Sequence, residues 1–232
     1  MRQFKTRGVV LTRTDFGEAD RILTFITPDH GKIRVMAKGV RKANAKLAGA
    51  IELFSIINIS VVAGRGDIYS LTSARLEKHY DGIVKDLGRT NCAYELLRLL
   101  NKATEEKTEE AYFTILEVAL AALNDLKVDT PLTALWFRMK LLKIAGHSPN
   151  LYSDVNGAKL KESGSYDFQH ERMHFVPKLV KEGAYNTDHI KFLRLGFAAQ
   201  GPKVLQRVQD AQTLAQTANP LVQSMLESYV RM

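Results

Sequence analysis

Six basic residues lie between Gly31 and Lys46, a stretch that contains no acidic residue. They are Lys32, Arg34, Lys38, Arg41, Lys42 and Lys46. Over Lys32–Lys38 the apolar positions alternate with basic ones, which predicts a β-strand with one apolar face and one almost wholly cationic face. A basic loop continues that face. This arrangement suits a polyanion whose phosphates repeat along a line, although a solvated charged surface is the common alternative for a charge run alone.

The distribution of charge along the chain supports the polyanion interpretation. The net charge of the 232 residues is +8. Residues 1–80 carry 14 Lys and Arg against 7 Asp and Glu, a net charge of +7, and by subtraction residues 81–232 carry +1. This asymmetry predicts a basic binding module joined to a nearly neutral one.

Candidate catalytic and metal sites are poorly supported. The single cysteine, Cys92, lies in an apolar helical pattern and excludes an intrachain disulfide framework and a zinc site built on paired cysteines. Glu18 and Asp20 are interpreted as turn residues or local partners of Arg13 and Arg21. His170 and His174 are four residues apart in a strand-like segment and, with His147, could resemble a metal site. Such a site is disfavoured, because histidines at this spacing are more often ordinary surface residues.

The first eighty residues have the pattern of a small antiparallel barrel. Five short segments rich in β-branched and aromatic residues are separated by turn signals such as Pro28-Asp29-His30-Gly31. A five-stranded barrel of the OB type fits this count, and such barrels bind single-stranded nucleic acid across strands 2 and 3 and the nearby loops. The third strand and the loop after it are the most basic parts here.

After Tyr80 the apolar period changes from two to about 3.6, which predicts helices. The sequence therefore predicts an α+β protein of two domains, a barrel over residues 1–80 and a helical domain over residues 81–232. Residues 147–182 form an excursion with a small β-hairpin, and Asn219-Pro220 is expected to separate the last two helices.

Aromatic residues for base stacking are few in the barrel region. Phe25 and Phe54 are predicted to lie in the core because they belong to apolar strands. Phe16, Tyr69 and Tyr80 are also present, and Tyr69 is the preferred candidate for an exposed stacking ring.

Several motifs together resemble the RecO family of bacterial recombination mediators and DNA-repair proteins. The most specific is Gly31-Lys32 followed by Ala37-Lys38-Gly39-Val40-Arg41-Lys42. Others are Gly8–Leu11, Gly17–Thr24, Leu53-Phe54, Gly64-Arg65-Gly66, and the helix Leu132–Ala145 ending in Gly146–Leu151. The resemblance covers the whole chain and is strongest over residues 1–80.

The resemblance implies an N-terminal OB domain, a helical C-terminal domain and a non-enzymatic function in DNA repair and recombination. The implied DNA activities are binding of single- and double-stranded DNA and annealing of complementary strands. The implied protein partners are RecR and the C-terminal tail of SSB, the single-stranded-DNA-binding protein. Together with RecR, a protein of this family helps RecA to displace SSB. The family's basic motif falls on Lys32, Lys38, Arg41 and Lys42, and the charge pattern adds Arg34 and Lys46.

One departure from the family concerns zinc. Many members carry two Cys-x-x-Cys pairs in the excursion, whereas residues 147–182 contain no cysteine, so no zinc and no other cofactor is expected.

The sequence has no long apolar run, so no membrane span is expected, and a reducing, cytoplasmic and nucleoid-associated location is predicted. A generic single-stranded RNA-binding OB protein is the alternative, and a metal-dependent nucleic-acid enzyme is a third, less favoured one.

Overall fold

The structure is a computed structural model that describes residues 3–43, 45, 47–64, 66–105, 109–161, 163–179 and 183–229. The chain divides into two compact units, residues 1–126 and 127–232. The units differ from the predicted domains, 1–80 and 81–232, because the first three helices cluster with the barrel.

Five strands form a closed barrel in the first unit. They are β1 Gln3–Phe16, β2 Asp20–Thr27, β3 Gly31–Ala37, β4 Ser55–Val62 and β5 Ile68–His79. The strand order is β1-β2-β3-β5-β4, and β4 pairs with β1 to close the barrel. All pairs are antiparallel except β3 with β5. The predicted five-stranded OB-type barrel is confirmed.

The barrel interior is filled by alternate residues of every strand, as the period of two requires. Buried side chains include Val10 of β1, Phe25 of β2, Val35 of β3 and Ile57 of β4, each fully inaccessible to solvent. Phe54 is also buried, so the prediction that Phe25 and Phe54 lie in the core is confirmed.

Helices α1 Asp81–Val84, α2 Leu87–Ala103 and α3 Glu110–Asn124 complete the first unit. Helix α2 packs against β1 and α3 against β2. Val9 and Ile26, which pair across these strands, are fully buried although they do not belong to the interior cluster. The helices therefore cover this part of the barrel's outer face. Cys92 is buried in α2, as predicted.

The second unit contains helices and a small three-stranded sheet. Its elements are α4 Thr130–Ile144, β6 Ser165–Gln169, β7 His174–Lys178, β8 Tyr185–Asn186, α5 Thr187–Ala198 and α6 Ala211–Tyr229. Helix α4 begins where Asp129 accepts a hydrogen bond from the backbone N–H of Leu132 at 2.8 Å, and it is followed by Gly146 with a φ of +80°. The predicted hairpin of the excursion is β6 with β7, and β8 adds a third strand.

The expected break at Asn219-Pro220 is wrong, because α6 runs through Pro220. Proline in a helix interior costs about 3 kcal/mol. The helix offsets this by burying one apolar face, and each fully buried large side chain such as Leu221 or Met225 contributes about 1.5–3 kcal/mol. Asn219 accepts a hydrogen bond from Arg138 Nη1 at 2.9 Å, so its side chain contacts another helix instead of capping a new one.

In the part of the chain that the structure describes, no helix is both long and apolar enough to span a bilayer.

Candidate nucleic-acid interface

Strand β3 has the two faces that its sequence predicts. Ile33, Val35 and Ala37 are buried in the barrel, whereas Arg34 is exposed on the outer face and Met36 is half-buried. Arg34 has no ion-pair partner among the described residues. It therefore presents an uncompensated positive charge on the barrel's surface.

Lys32, the first basic residue of β3, has a different environment. Its ammonium group donates a hydrogen bond to the carbonyl oxygen of Asn101 at 2.9 Å and another to that of Thr104. These carbonyls lie at the C-terminal end of α2, where backbone oxygens lack intrahelical partners and a cation is favourable. Lys32 is thus half-buried and hydrogen-bonded to the end of α2, whereas Arg34 is exposed.

The basic loop, Lys38–Lys42, follows β3 and carries three exposed cations, Lys38, Arg41 and Lys42. Its turn depends on Gly39, whose φ of +65° is a left-handed conformation that costs other L-residues about 1–2 kcal/mol. Val40 is 5% exposed and belongs to the barrel's core cluster. One apolar anchor therefore holds the loop while the cations on either side face solvent. Lys38 and Lys42 form no ion pair within the described residues.

Backbone N–H groups of the basic loop donate hydrogen bonds to the start of β2 and to the connection between β1 and β2. The Gly39 N–H donates to Asp20 Oδ1 at 2.7 Å, and the Arg41 N–H donates to the carbonyl of Ala19 at 2.9 Å. The Arg41 side chain reaches the same connection, donating from Nη1 to the carbonyl of Gly17 at 3.2 Å. These contacts join the two motifs Gly17–Thr24 and Ala37–Lys42, which are distant in sequence.

Asp15 balances part of the charge at this connection. It accepts a hydrogen bond from Arg21 Nε at 2.8 Å, and its second oxygen lies 3.4 Å from Arg41 Nε. The hydrogen bond from Arg21 is the main reason that the pKa of Asp15 is lowered. Arg41 is therefore partly a positioning residue, whereas Lys38 and Lys42 remain the uncompensated charges of the loop.

Glu18 is an exposed residue of the turn between β1 and β2, which is one of the two interpretations of the sequence, but the other interpretation, a pairing of Glu18 or Asp20 with Arg13 or Arg21, is wrong for the described residues. Arg21 pairs with Asp15, and Arg13 lies 3.9 Å from Glu52. Asp20 instead accepts from the Gly39 N–H, as described above. The reason is that β2 begins at Asp20, which directs its carboxylate across the turn toward the end of β3.

The register of the strands defines the surface next to the cations. Thr12 pairs with Thr24 and Thr24 with Arg34, so these side chains form one row across the outer face. The next row contains Thr14, Ile22, Met36 and Ser70. Side chains in both rows are exposed or half-buried, in contrast to Val9 and Ile26 under the helices. We call the two rows, with Phe16 at the end of β1, the open face.

The structure thus brings together four of the six predicted residues: Arg34 lies on the open face and Lys38, Arg41 and Lys42 in the basic loop that follows. Lys32 is turned toward α2. Lys46 lies outside the described residues, as does Arg65 of the Gly64–Gly66 motif. The sequence alone does not identify Asp20 and Val40 as the residues that position the loop. Each of them belongs to one of the two motifs Gly17–Thr24 and Ala37–Lys42, and those motifs are the sequence feature that points to them.

The preference for Tyr69 as the exposed stacking ring is wrong. Tyr69 pairs with Val35 and shares its inward orientation, so its ring packs against the barrel core. Its ring also meets the edge of Phe4, with a centroid separation of 5.1 Å. Phe16, in contrast, is 53% exposed.

The residues of the excursion do not fit the zinc site of cysteine-bearing RecO proteins. The carboxylate of Asp154 accepts hydrogen bonds from the N–H groups of Asn156 at 2.8 Å and Ala158 at 3.0 Å, and so organises the turn over residues 154–158. His174 Nε2 lies 3.0 Å from the Asn150 amide, and His170 Nε2 lies 3.3 Å from Ser224 Oγ. Within the described residues, no group of three or more His, Cys, Asp or Glu is placed to hold a metal ion.

An aromatic cluster lies beside that turn. The ring of Phe175, which is fully buried, has centroid separations of 5.1 Å to Phe168, 5.7 Å to Tyr185 and 6.3 Å to Tyr166. Edge-to-face aromatic pairs of this kind supply packing energy to a small sheet. The excursion is therefore held by side-chain packing and backbone hydrogen bonds.

Comparison with protein families gives two matches. The N-terminal model of recombination protein O matches residues 1–80, and the C-terminal model of the same protein matches residues 84–198. The two matches meet near residue 80, where strands give way to helices.

Similar curated proteins carry the name DNA repair protein RecO. The one from Roseiflexus sp. is 35% identical over 165 residues, which is 70% of this chain and 57% of the relative. The one from Dehalococcoides mccartyi is 34% identical over 66% of this chain and 60% of the relative, and that from Thermoanaerobacter sp. is 30% identical over 65% and 61%. The chain thus spans about three fifths of the length of these relatives.

Proposed function

This chain belongs to the RecO family, and from that membership we propose that it acts in recombinational DNA repair by binding single- and double-stranded DNA and annealing complementary strands. The observation that carries the proposal is the basic loop. Lys38 and Lys42 are exposed, lack ion-pair partners among the described residues, and are fixed by Val40 and Asp20 at the end of a closed OB-type barrel.

The physical basis is neutralisation of phosphates. Lysine and arginine side chains that contact phosphates release condensed counterions, and this term gives affinity that depends strongly on salt and little on sequence. Arg34 on the open face continues the positive surface from the basic loop. A surface of this kind lowers the repulsion between two phosphate backbones, and we propose that it promotes annealing in this way.

The proposal includes the partners and the absence of catalysis that membership in the family implies. We propose that the chain forms a complex with RecR, contacts the C-terminal tail of SSB, and so helps RecA to load on single strands that SSB covers. We propose that it works without catalytic turnover and without zinc, at the nucleoid in the cytoplasm. Its activity should therefore persist in excess chelator.

The test is a fluorescence annealing assay with complementary DNA oligonucleotides, in parallel with binding measurements on DNA and RNA single strands of the same sequence. Annealing of DNA that is fast at low salt and slow at high salt is the expected result. Binding of RNA in clear preference to DNA, without DNA annealing, would overturn the proposal in favour of an RNA-binding OB protein.

A further inference from the structure

Phe16 is an exposed aromatic residue at the end of β1, at the tip of the β1–β2 hairpin. It is 53% exposed, whereas most large apolar side chains of the barrel are buried. The connection between strands 1 and 2 is one of the loops through which OB barrels contact oligonucleotides. An exposed ring in this place offers a flat apolar surface to a ligand.

The strand register places Phe16 on the same face as the cations. Thr14 pairs with Ile22 and Ile22 with Met36, so these three side chains point to the same side of the sheet. Phe16 lies two residues beyond Thr14 and Arg34 two residues before Met36, and positions two apart on a strand share a face. The ring and the Arg34 guanidinium thus belong to one continuous surface, the open face.

The basic loop is fastened to both chain neighbours of Phe16. Arg41 lies 3.4 Å from the carboxylate of Asp15 and donates a hydrogen bond to the carbonyl of Gly17 at 3.2 Å. Gly17 has a φ of +57°, which gives the hairpin the tight turn that leaves the ring at its tip. The position of Phe16 relative to the basic loop is therefore defined on both sides.

We propose that Phe16 stacks on an unpaired base of a single strand whose phosphates contact Lys38, Lys42 and Arg34. This inference rests on the proposed function and deepens it, because it assigns to one residue a contact that only single strands can make. Every base has a π-face, so stacking on a ring is tolerant of sequence. A base in a duplex is already stacked and paired, and Phe16 contributes nothing to its binding.

The expected magnitude follows from stacking on other single-strand-binding proteins. Removal of a stacking ring weakens binding by about 5- to 150-fold per base. The loss should not change the salt dependence, because the number of phosphate contacts is unchanged. These two features distinguish the contribution of the ring from that of the lysines.

The experiment compares the wild type with Phe16→Leu and Phe16→Trp by fluorescence anisotropy. Leucine keeps an apolar side chain and removes the π-face, whereas tryptophan keeps it. The probes are an oligothymidylate, an abasic single strand of equal length and a duplex, each over a salt series. An unchanged unfolding midpoint establishes that both variants remain folded, as expected for an exposed position.

We expect Phe16→Leu to lose at least about fivefold in affinity for oligothymidylate with the same salt slope, and to bind the abasic strand and the duplex like the wild type. Phe16→Trp should retain the affinity, and its added indole fluorescence should be quenched by oligothymidylate. Equal binding of oligothymidylate by wild type and Phe16→Leu, or an equal loss on all three probes, would overturn the inference.

The Lys38→Ala/Lys42→Ala variant separates this failure from failure of the proposed function. If that variant loses affinity while Phe16→Leu does not, stacking is overturned and the proposed function remains. If the wild type binds none of the three probes at low salt, the proposed function is overturned together with the inference.

Discussion

The backbone N–H of Gly39 donates a hydrogen bond of 2.7 Å to the carboxylate of Asp20, and this contact joins the turn after β3 to the start of β2. The two residues are nineteen positions apart, and each belongs to a different motif of the chain. The contact fixes the backbone from which Lys38 and Lys42 extend. The geometry of the cations therefore depends on an acidic residue.

Replacing Asp20 by alanine should destabilise the protein by about 1–3 kcal/mol, because the Gly39 N–H loses a charged acceptor. DNA affinity should also fall, since the basic loop loses its fixed position. Urea unfolding and anisotropy measure the two effects. Glu18→Ala in the same exposed turn is the matched control and should change stability by less than about 0.5 kcal/mol. If both variants were equally stable, the contact would have no structural importance.

Replacing Gly39 by alanine tests the left-handed turn. A Cβ at this position would meet only Lys42 Cδ, at 3.8 Å, so the cost comes from the φ of +65° and not from a clash. We expect a loss of about 1–2 kcal/mol in the free energy of unfolding. Gly49→Ala, where a Cβ meets nothing within 4 Å and φ is ordinary, should be nearly neutral. Equal effects of the two substitutions would argue against the described turn.

Lys32 and Arg34 should have opposite phenotypes although they are neighbours on the same strand. Lys32→Met removes the ammonium group from the end of α2, and we expect a loss of stability of about 1–2 kcal/mol with little change in DNA affinity. Arg34→Met should leave stability within about 0.5 kcal/mol and weaken binding of DNA. Denaturation and binding measured on both variants give the comparison, and a larger binding defect for Lys32→Met would contradict the assignment.

Much of the barrel could be predicted because alternation sets the inward face of each strand. Ile33, Val35 and Ala37 are buried as the pattern requires. The environment of Lys32 could not be predicted, since its partners Asn101 and Thr104 lie about seventy residues later and depend on how α2 packs.

The sequence also could not show which aromatic ring of the barrel, Tyr69 or Phe16, is exposed, because that depends on the strand register. Phe16 lies among polar residues in the sequence, whereas Tyr69 lies in a segment where apolar and polar residues are mixed. The pairing of Tyr69 with Val35 in a parallel ladder directs its ring inward, and no local pattern specifies that pairing. The continuity of α6 through Pro220 could not be predicted either, because the buried face that outweighs the proline is created by tertiary packing.

The excursion should not need metal for its stability. Phe175→Ala removes a fully buried ring from the aromatic cluster and should cost about 3–5 kcal/mol. Leu179→Ala, at a position that is 73% exposed, is the control and should be close to neutral. Thermal unfolding of the wild type should be unchanged by excess chelator. A lower melting temperature in chelator would show that a bound metal contributes to the fold.

The most direct test of the central claim is the salt dependence of single-stranded DNA binding by the wild type and by Lys38→Ala/Lys42→Ala. Each phosphate contact contributes about −0.7 to the slope of log K against log salt concentration for single strands. If both lysines contact phosphates, the variant should bind more weakly at low salt and its slope should be less negative by about 1.4. A folded variant with the wild-type slope and affinity would contradict the claim that the basic loop holds the DNA backbone.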